Sequence, residues 1–281
     1  MNAECGVVVG DYLITNLTIG QGLQSTVVKA FHTKTNESLV AKICRFKDNQ
    51  DKQMFLKEVE ILQKLADCKH IVQLKDVVVD QHEGIMLLEM LKTDLMTCIR
   101  KRLLTVEQQM YVFEQVCIGV REIHSRNICH LDLKPENILV SADFKTVKIC
   151  DFGMSTILGK NGLSEVSGGT LLYCAPELFA GWCFKGKKAD IWSLGIVYHV
   201  LLTSKWPYPT NYSQKQLNEA IQTGRIQINN SLSEQNVLLM KKMTNLNPKS
   251  RIDIKSLCYQ VNTTPKERLF DFSHLKLFFS R

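Results

Sequence analysis

The sequence predicts an α+β fold in two lobes, a small β-rich lobe with one helix followed by a larger, mainly helical one. Three observations predict it. Up to about residue 91 the chain reads mostly as strands, with apolar and polar residues in alternation. Beyond that point the apolar residues recur at spacings of three and four, the period of a helix with one buried face. Finally, 281 residues are enough for one large domain or two closely packed lobes. Hydrophobic residues at 45% and charged residues at 22% are ordinary proportions for a folded chain, which argues against disorder over most of its length.

Taken in order, Asp11–Ile19 alternates as a strand does, Gly20 to Gly22 supply a turn, and 26–31 and 37–44 are again β-rich. Residues 54–65 carry Phe55, Val59, Leu62 and Leu65 at helical spacing. Residues 71–80 and 84–91 return to the strand pattern, and 89–94 would join the lobes. A long amphipathic helix is predicted over 106–125, a short strand over 146–150, and further helices over 190–202, 214–222 and 234–244. The organised region is expected to span 11–261, divided into 11–91 and 92–261, with 262–281 as a C-terminal tail rich in Leu and Phe that packs on its own lobe. No internal repeat or low-complexity stretch interrupts it.

Charge and cysteine content exclude several classes. Lys+Arg 35 against Asp+Glu 28 leaves a net charge of +7, spread along the chain without the basic run that nucleic-acid binding would call for. Ten cysteines from Cys5 to Cys258 include no C-x-x-C pair, so they read as small buried hydrophobes of a reducing compartment rather than zinc ligands or disulfides. There is no secretory signal pattern and no apolar run long enough to span a bilayer. The expected location is the cytoplasm, with the nucleus as an alternative.

Four motifs carry chemistry. Gly20-Gln21-Gly22-Leu23-Gln24-Ser25-Thr26-Val27 places two glycines between strands, where backbone can approach a phosphate; alone, such a run is more often an ordinary hairpin. Val40-Ala41-Lys42 puts a lysine in an apolar strand, where it needs a partner, and Glu58 on the following helix is the candidate. His130-Leu131-Asp132-Leu133-Lys134-Pro135-Glu136-Asn137 gathers an aspartate, a lysine and an asparagine on one loop between a long helix and a strand. Asp151-Phe152-Gly153 follows the next strand, and Asn137 with Asp151 offers oxygen ligands suited to a hard cation such as Mg²⁺.

In this order, and continued by Ala175-Pro176-Glu177, Asp190-Ile191-Trp192-Ser193-Leu194-Gly195 and Arg251, the motifs resemble a eukaryotic protein kinase catalytic domain. The resemblance runs from about Asp11 to about Val261. It implies the two-lobed kinase fold, with an antiparallel β lobe, and ATP-dependent transfer of the γ-phosphate to a protein hydroxyl, with ATP and Mg²⁺ as cofactors. It also implies roles. Lys42, held by Glu58, would bind the α- and β-phosphates; Asn137 and Asp151 would hold Mg²⁺; Asp132 would orient the substrate hydroxyl and Lys134 neutralise the transferring group. Ile19, Gly20 and Gly22 would cover the nucleotide, Val27, Ala41 and Leu139 sandwich the adenine, and Leu88 back it. Glu89, Met90 and Leu91 would form the hinge and Asp94 meet the ribose. Glu177 and Arg251 would pair in the helical lobe, which Asp190 helps to build. Lys134 and Thr170 are of serine/threonine-kinase type, so the partner is a protein substrate with a serine or threonine acceptor, and Glu136 favours basic residues upstream of it. A scaffold that binds nucleotide without catalysis is the alternative, but such chains usually lose one of Lys42, Asp132, Asn137 and Asp151, all present here.

Three departures stand out. Ser25 occupies the place of the third loop glycine, and Leu171 that of a common proline. Leu131 occupies the place of the arginine that receives an activation-loop phosphate in the family, so weak dependence on phosphorylation at Ser164 or Ser167 is expected. The H-L-D triplet is also similar to that of myosin-light-chain-kinase-like and death-associated kinases.

Overall fold

The computed structural model describes residues 6–22, 25–164, 168–179 and 183–263. The tail beyond residue 263, Leu23 and Gln24 of the glycine turn, and Ser167 lie outside them. The chain divides into two units, Met1–Lys92 and Thr93–Arg281.

The first unit is an antiparallel sheet of β1 (Gly6–Val9), β2 (Tyr12–Gln21), β3 (Ser25–His32), β4 (Ser38–Arg45), β5 (Leu74–Val79) and β6 (Glu83–Glu89), in the order β1-β2-β3-β4-β6-β5. β1 lies ahead of the expected first strand: Gly10, at φ 59°, turns Gly6–Val9 back along β2. One face of the sheet buries Ile14, Val28, Ala30, Leu39, Ala41, Ile85 and Leu87 in a single cluster. Helix α1 (Asn49–Lys64) starts five residues before the predicted one, because Asp48 caps it by accepting the N–H of Asp51 at 3.0 Å. Its first turn is polar and gives no apolar period to read. Phe55 of α1 sits against β6 at Gly84, where any Cβ would come within 2.5 Å of the ring. Glu58, three residues on, shares that inward face of the helix.

The second unit is mainly helical, with α2 (Leu95–Arg100), α3 (Val106–Ser125), α4 (Gly186–Thr203), α5 (Gln214–Gln222), α6 (Glu234–Met243) and α7 (Ile254–Thr263). Short strands punctuate it. β7 (Thr93–Asp94), β9 (Ile138–Val140) and β10 (Val147–Ile149) form one ribbon, β8 (Ile128–Cys129) pairs with β11 (Thr156–Ile157), and β12 (Leu163–Ser164) with β13 (Phe184–Lys185). α3 has the predicted limits because Thr105 and Gln108 cap its start reciprocally, at 2.9 and 3.3 Å. Every residue of α4 from Ala189 to Leu201 is buried, with Trp192 fully so. A helix covered on all sides has no apolar stripe, so the spacing predicts only 190–202 and misses the first turn from Gly186.

Of the nine cysteines among the described residues, six are buried. Among the described residues no helix is long and apolar enough to cross a membrane.

Candidate active site

In the first unit Lys42 and Glu58 form a two-pronged ion pair, with Nζ at 2.7 and 2.9 Å from the two carboxylate oxygens and little of either side chain exposed. Strand register decides what shares the face of Lys42. Val27 and Met86 stand directly opposite it, and Val40, two residues back, stands opposite Leu88. Ala41 points the other way, fully buried against Val28 and Leu87 in the sheet core. This corrects the expectation that Ala41 lines the adenine pocket: neighbours on a strand face opposite sides, and the residue on the face of Lys42 is Val40. Gly20 lies opposite Val27 in the ladder, and the N–H of Gly22 donates to Ser25 O at 2.8 Å, so that donor closes the turn. Ile19 is exposed and Leu91 half-buried. Glu89 accepts the N–H of Gln73 at 2.6 Å and donates its own N–H to Gln73 O, tying the end of β6 to the strand beside it.

In the second unit the loop after β8 is fixed from below by Asp190. This wholly buried carboxylate accepts the N–H of Leu131 at 2.8 Å, the N–H of His130 at 2.9 Å and Nε2–H of His124 at 2.8 Å. Three donors satisfy a charge that could not otherwise be buried. Leu131 is held at φ 64°, in the left-handed region, with its side chain buried. His130 accepts the N–H of Asp132 on Nδ1 at 3.2 Å, so its ring proton sits on Nε2 and goes to Cys150 O at 3.0 Å. Its ring lies 4.9 Å from that of Phe152, linking the loop to the segment that starts at Asp151.

Asp132 is the focus of this unit. Its Oδ1 accepts from the N–H and the Oγ1–H of Thr170, both at 2.8 Å. Its Oδ2 accepts from Lys134 Nζ at 2.7 Å and from Asn137 Nδ2 at 3.1 Å. Lys134 Nζ also donates to Thr170 Oγ1 at 2.8 Å, closing a triangle of three side chains. Thr170 can come this close because Gly169, at φ 105°, passes against Leu131 O: a Cβ on residue 169 would stand 2.5 Å from that oxygen.

Asn137 spends both amide hydrogens on Asp132, on its carboxylate and on its carbonyl at 2.9 Å, which turns the side-chain oxygen Oδ1 away from it. The backbone O of Asn137 accepts from Cys150 N at 3.0 Å, so Asp151 stands one residue beyond the position facing Asn137 at the end of the β9–β10 ribbon. The Asp151 backbone is left-handed at φ 63° and the residue is exposed. Leu139 lies opposite Asp94 in the β7–β9 pair, and Asp94 caps α2 through the N–H and Oγ1–H of Thr97 at 2.8 and 2.7 Å. Burial pushes the Cys174 thiol up to about 12, with the charge of Asp132 adding to it, so that thiol stays neutral.

Glu177 and Arg251 meet as predicted: the guanidinium reaches both carboxylate oxygens, at 2.7 and 3.0 Å, and is itself fully buried. Sequence patterns alone assign no role to His124, His130 and Gly169, although His130 opens the run that carries Asp132 and Gly169 adjoins Thr170. His124 is a single histidine on an apolar helix face and carried no signal.

The profile of the protein kinase domain matches residues 14–261. The chain is 33% identical over 254 residues to a probable serine/threonine-protein kinase of Dictyostelium discoideum, covering 89% of this chain and 30% of that protein. It is 32% identical over 256 residues to the carbon catabolite-derepressing protein kinase of Saccharomyces cerevisiae, covering 90% of this chain and 40% of that one. It is also 32% identical over 246 residues to the maternal embryonic leucine zipper kinase of Xenopus tropicalis, at 85% and 37%. The chain thus spans between 30% and 40% of the length of these relatives. With the family profile running from Ile14 to Val261, over the sheet of the first unit and the helices of the second, the chain belongs to the protein kinase domain family.

Proposed function

We propose that the chain is a catalytically active serine/threonine protein kinase, using ATP and Mg²⁺ to phosphorylate protein hydroxyls. The observation that carries this is the carboxylate of Asp132, held by four donors from Thr170, Lys134 and Asn137. A group so fixed is oriented before substrate arrives, and orientation is most of what phosphoryl transfer asks of a protein. Four donors fill the acceptor sites of a carboxylate. The substrate hydroxyl therefore takes the place of a side-chain donor, and Lys134, already shared between Asp132 and Thr170, is the one that swings to the transferring group. Lys42 with Glu58 supplies the fixed cation of the first unit. Val27, Val40 and Leu88 supply the apolar surface on the same face.

The donor set fits a hard cation. Asn137 Oδ1 is turned away from Asp132, and the exposed Asp151 carboxylate follows at the end of the same ribbon. Among the described residues no three His, Cys, Asp or Glu side chains form a metal cluster. That suits Mg²⁺, which takes one or two protein oxygens and completes its shell with phosphate and water. Asn137 and Asp151 would hold the ion, which would supply charge neutralisation for the phosphates. The serine/threonine assignment follows Lys134 and Thr170 and the names of the relatives.

The test is Mg²⁺-dependent transfer of labelled γ-phosphate from ATP to a basic protein, with wild type compared against Asp132→Asn. Label on serine and threonine is expected, reduced about 10²–10⁴-fold in the variant. ATP binding without transfer by either protein would assign the chain to the scaffold reading instead.

A second expectation concerns regulation. Leu131 is buried and carries no donor, so it cannot receive a phosphate, and Ser164 is buried within β12. The double variant Ser164→Ala/Ser167→Ala is expected to keep its activity within about threefold of wild type, since no charge-assisted contact is lost. Abolished transfer by that variant would refute it.

A further inference from the structure

Behind the loop that carries Asp132, the end of α3 and the starts of α4 and α7 enclose a recess of about 360 Å³. Its lining is unlike that of an ordinary surface hollow. Ile191, Ile254 and His124 are buried and form the floor. Around them stand Arg121, Lys187, Lys188 and Lys255. Facing these four cations is one carboxylate, Asp253, which leaves an excess of three positive charges (four minus one). Both oxygens of Asp253 are engaged in starting α7, accepting from the N–H of Ser256 at 2.9 Å and from its hydroxyl at 3.1 Å. His124 is committed to Asp190.

None of the four cations forms an ion pair with a described residue. Lys187 donates to Asn127 Oδ1 at 2.8 Å and Lys188 to the backbone O of Arg251, both neutral acceptors. Burial pushes the ammonium of Lys187 below its ordinary value. Lys188 is pushed down by burial first, with the like charges of Arg251 and Lys185 adding to it against the pull of Asp253. Gathering cations at a recess without neutralising them is unfavourable unless an anion completes the set. Arg121 and Lys255 are exposed, whereas Lys187 and Lys188 are half-buried, so positive charge runs from the rim inward.

We propose that this recess is a second ligand site of the chain, one that takes a phosphorylated side chain of a peptide. A phosphomonoester carries close to two negative charges and three acceptor oxygens, which matches the excess of cations. The apolar floor suits the carbon stem that bears the phosphate, and an aromatic stem would fill it best. A cupped recess of this size takes one side chain and not a flat lipid surface. The site is separate from Asp132, yet His124 in its floor shares the carboxylate of Asp190 with the N–H groups of His130 and Leu131.

Phenyl phosphate is the probe, titrated calorimetrically into the full chain with Mg²⁺ and a non-hydrolysable ATP analogue in excess, so that nucleotide sites are filled. Saturable binding is expected, about tenfold tighter than that of inorganic phosphate, and weakened about tenfold or more in Arg121→Gln/Lys255→Gln, the two cations whose side chains have no hydrogen-bond partner among the described residues. Affinity for the nucleotide analogue and the unfolding midpoint should be the same in both proteins. No saturation with wild type at about 10 mM probe, or equal titrations by wild type and double variant, would overturn the proposal. Binding of wild type to vesicles containing phosphatidic acid, with no response to phenyl phosphate, would overturn it in favour of a membrane surface.

Discussion

Arg251→Ala is expected to lower the stability of the folded chain by about 3–5 kcal/mol, the usual result of removing one partner from a buried ion pair. The guanidinium is fully buried and reaches both oxygens of Glu177. It also donates to Asn245 O at 3.0 Å and to Lys188 O at 2.6 Å, and lies 5.2 Å over the ring of Trp192. Alanine would leave a mostly buried carboxylate and two carbonyls without their donor, and would open a space beside the largest side chain of the core. Arg251→Lys should recover only a small part, because one ammonium cannot span two carboxylate oxygens and two carbonyls in a plane. Urea unfolding of the three proteins followed by fluorescence measures the difference. A loss below about 1 kcal/mol would mean that the pair is no stronger than a surface one.

Gly169→Ala is expected to have the largest effect on activity of any change that leaves every charged side chain in place. At φ 105° the backbone is outside the range a side chain tolerates, and the new Cβ would stand 2.5 Å from Leu131 O, a backbone atom held by the turn around Asp190. Residue 169 must then move, and Thr170 moves with it. Two of the four donors to Asp132 come from Thr170, so the carboxylate loses half of its restraint. Transfer should fall by about 10²-fold or more, the scale of a misplaced reacting group, while nucleotide binding is kept. Thr170→Ala is the control: it removes one hydroxyl donor and leaves the backbone N–H in place. A Gly169→Ala enzyme as active as Thr170→Ala would mean that the loop absorbs the change elsewhere.

Much of this was legible in the sequence, for reasons that differ by element. α3 and α5 have the limits that their spacing predicted, because each is capped reciprocally by a hydroxyl residue and a glutamine three positions on. α1 was read late because its first turn is held by Asp48 and not by packing. β1 and α2, four and six residues long, draw their stability from neighbours and carry no period of their own to read. Within the site, Lys42 with Glu58 and Glu177 with Arg251 could be paired in advance because a buried charge demands a partner. Alternation along a strand separates residue 41 from residue 42, so Val40 and not Ala41 shares the face of Lys42. The contact of Thr170 with Asp132, 38 residues apart, and the use of Asp190 by two separate backbone N–H groups depend on how the chain returns on itself, which no local pattern encodes.

Leu131 and Asp151 constrain which mutations selection can accept. Each holds a left-handed backbone on an ordinary L-residue, at about 1–2 kcal/mol apiece. Set against a total stability of about 5–15 kcal/mol, that is a sizeable fraction concentrated at two positions flanking Asn137. A glycine at either would relax the backbone locally, but at 131 it would empty a buried pocket, and at 151 it would delete the carboxylate. Mutations that stabilise this chain should therefore accumulate away from these two positions.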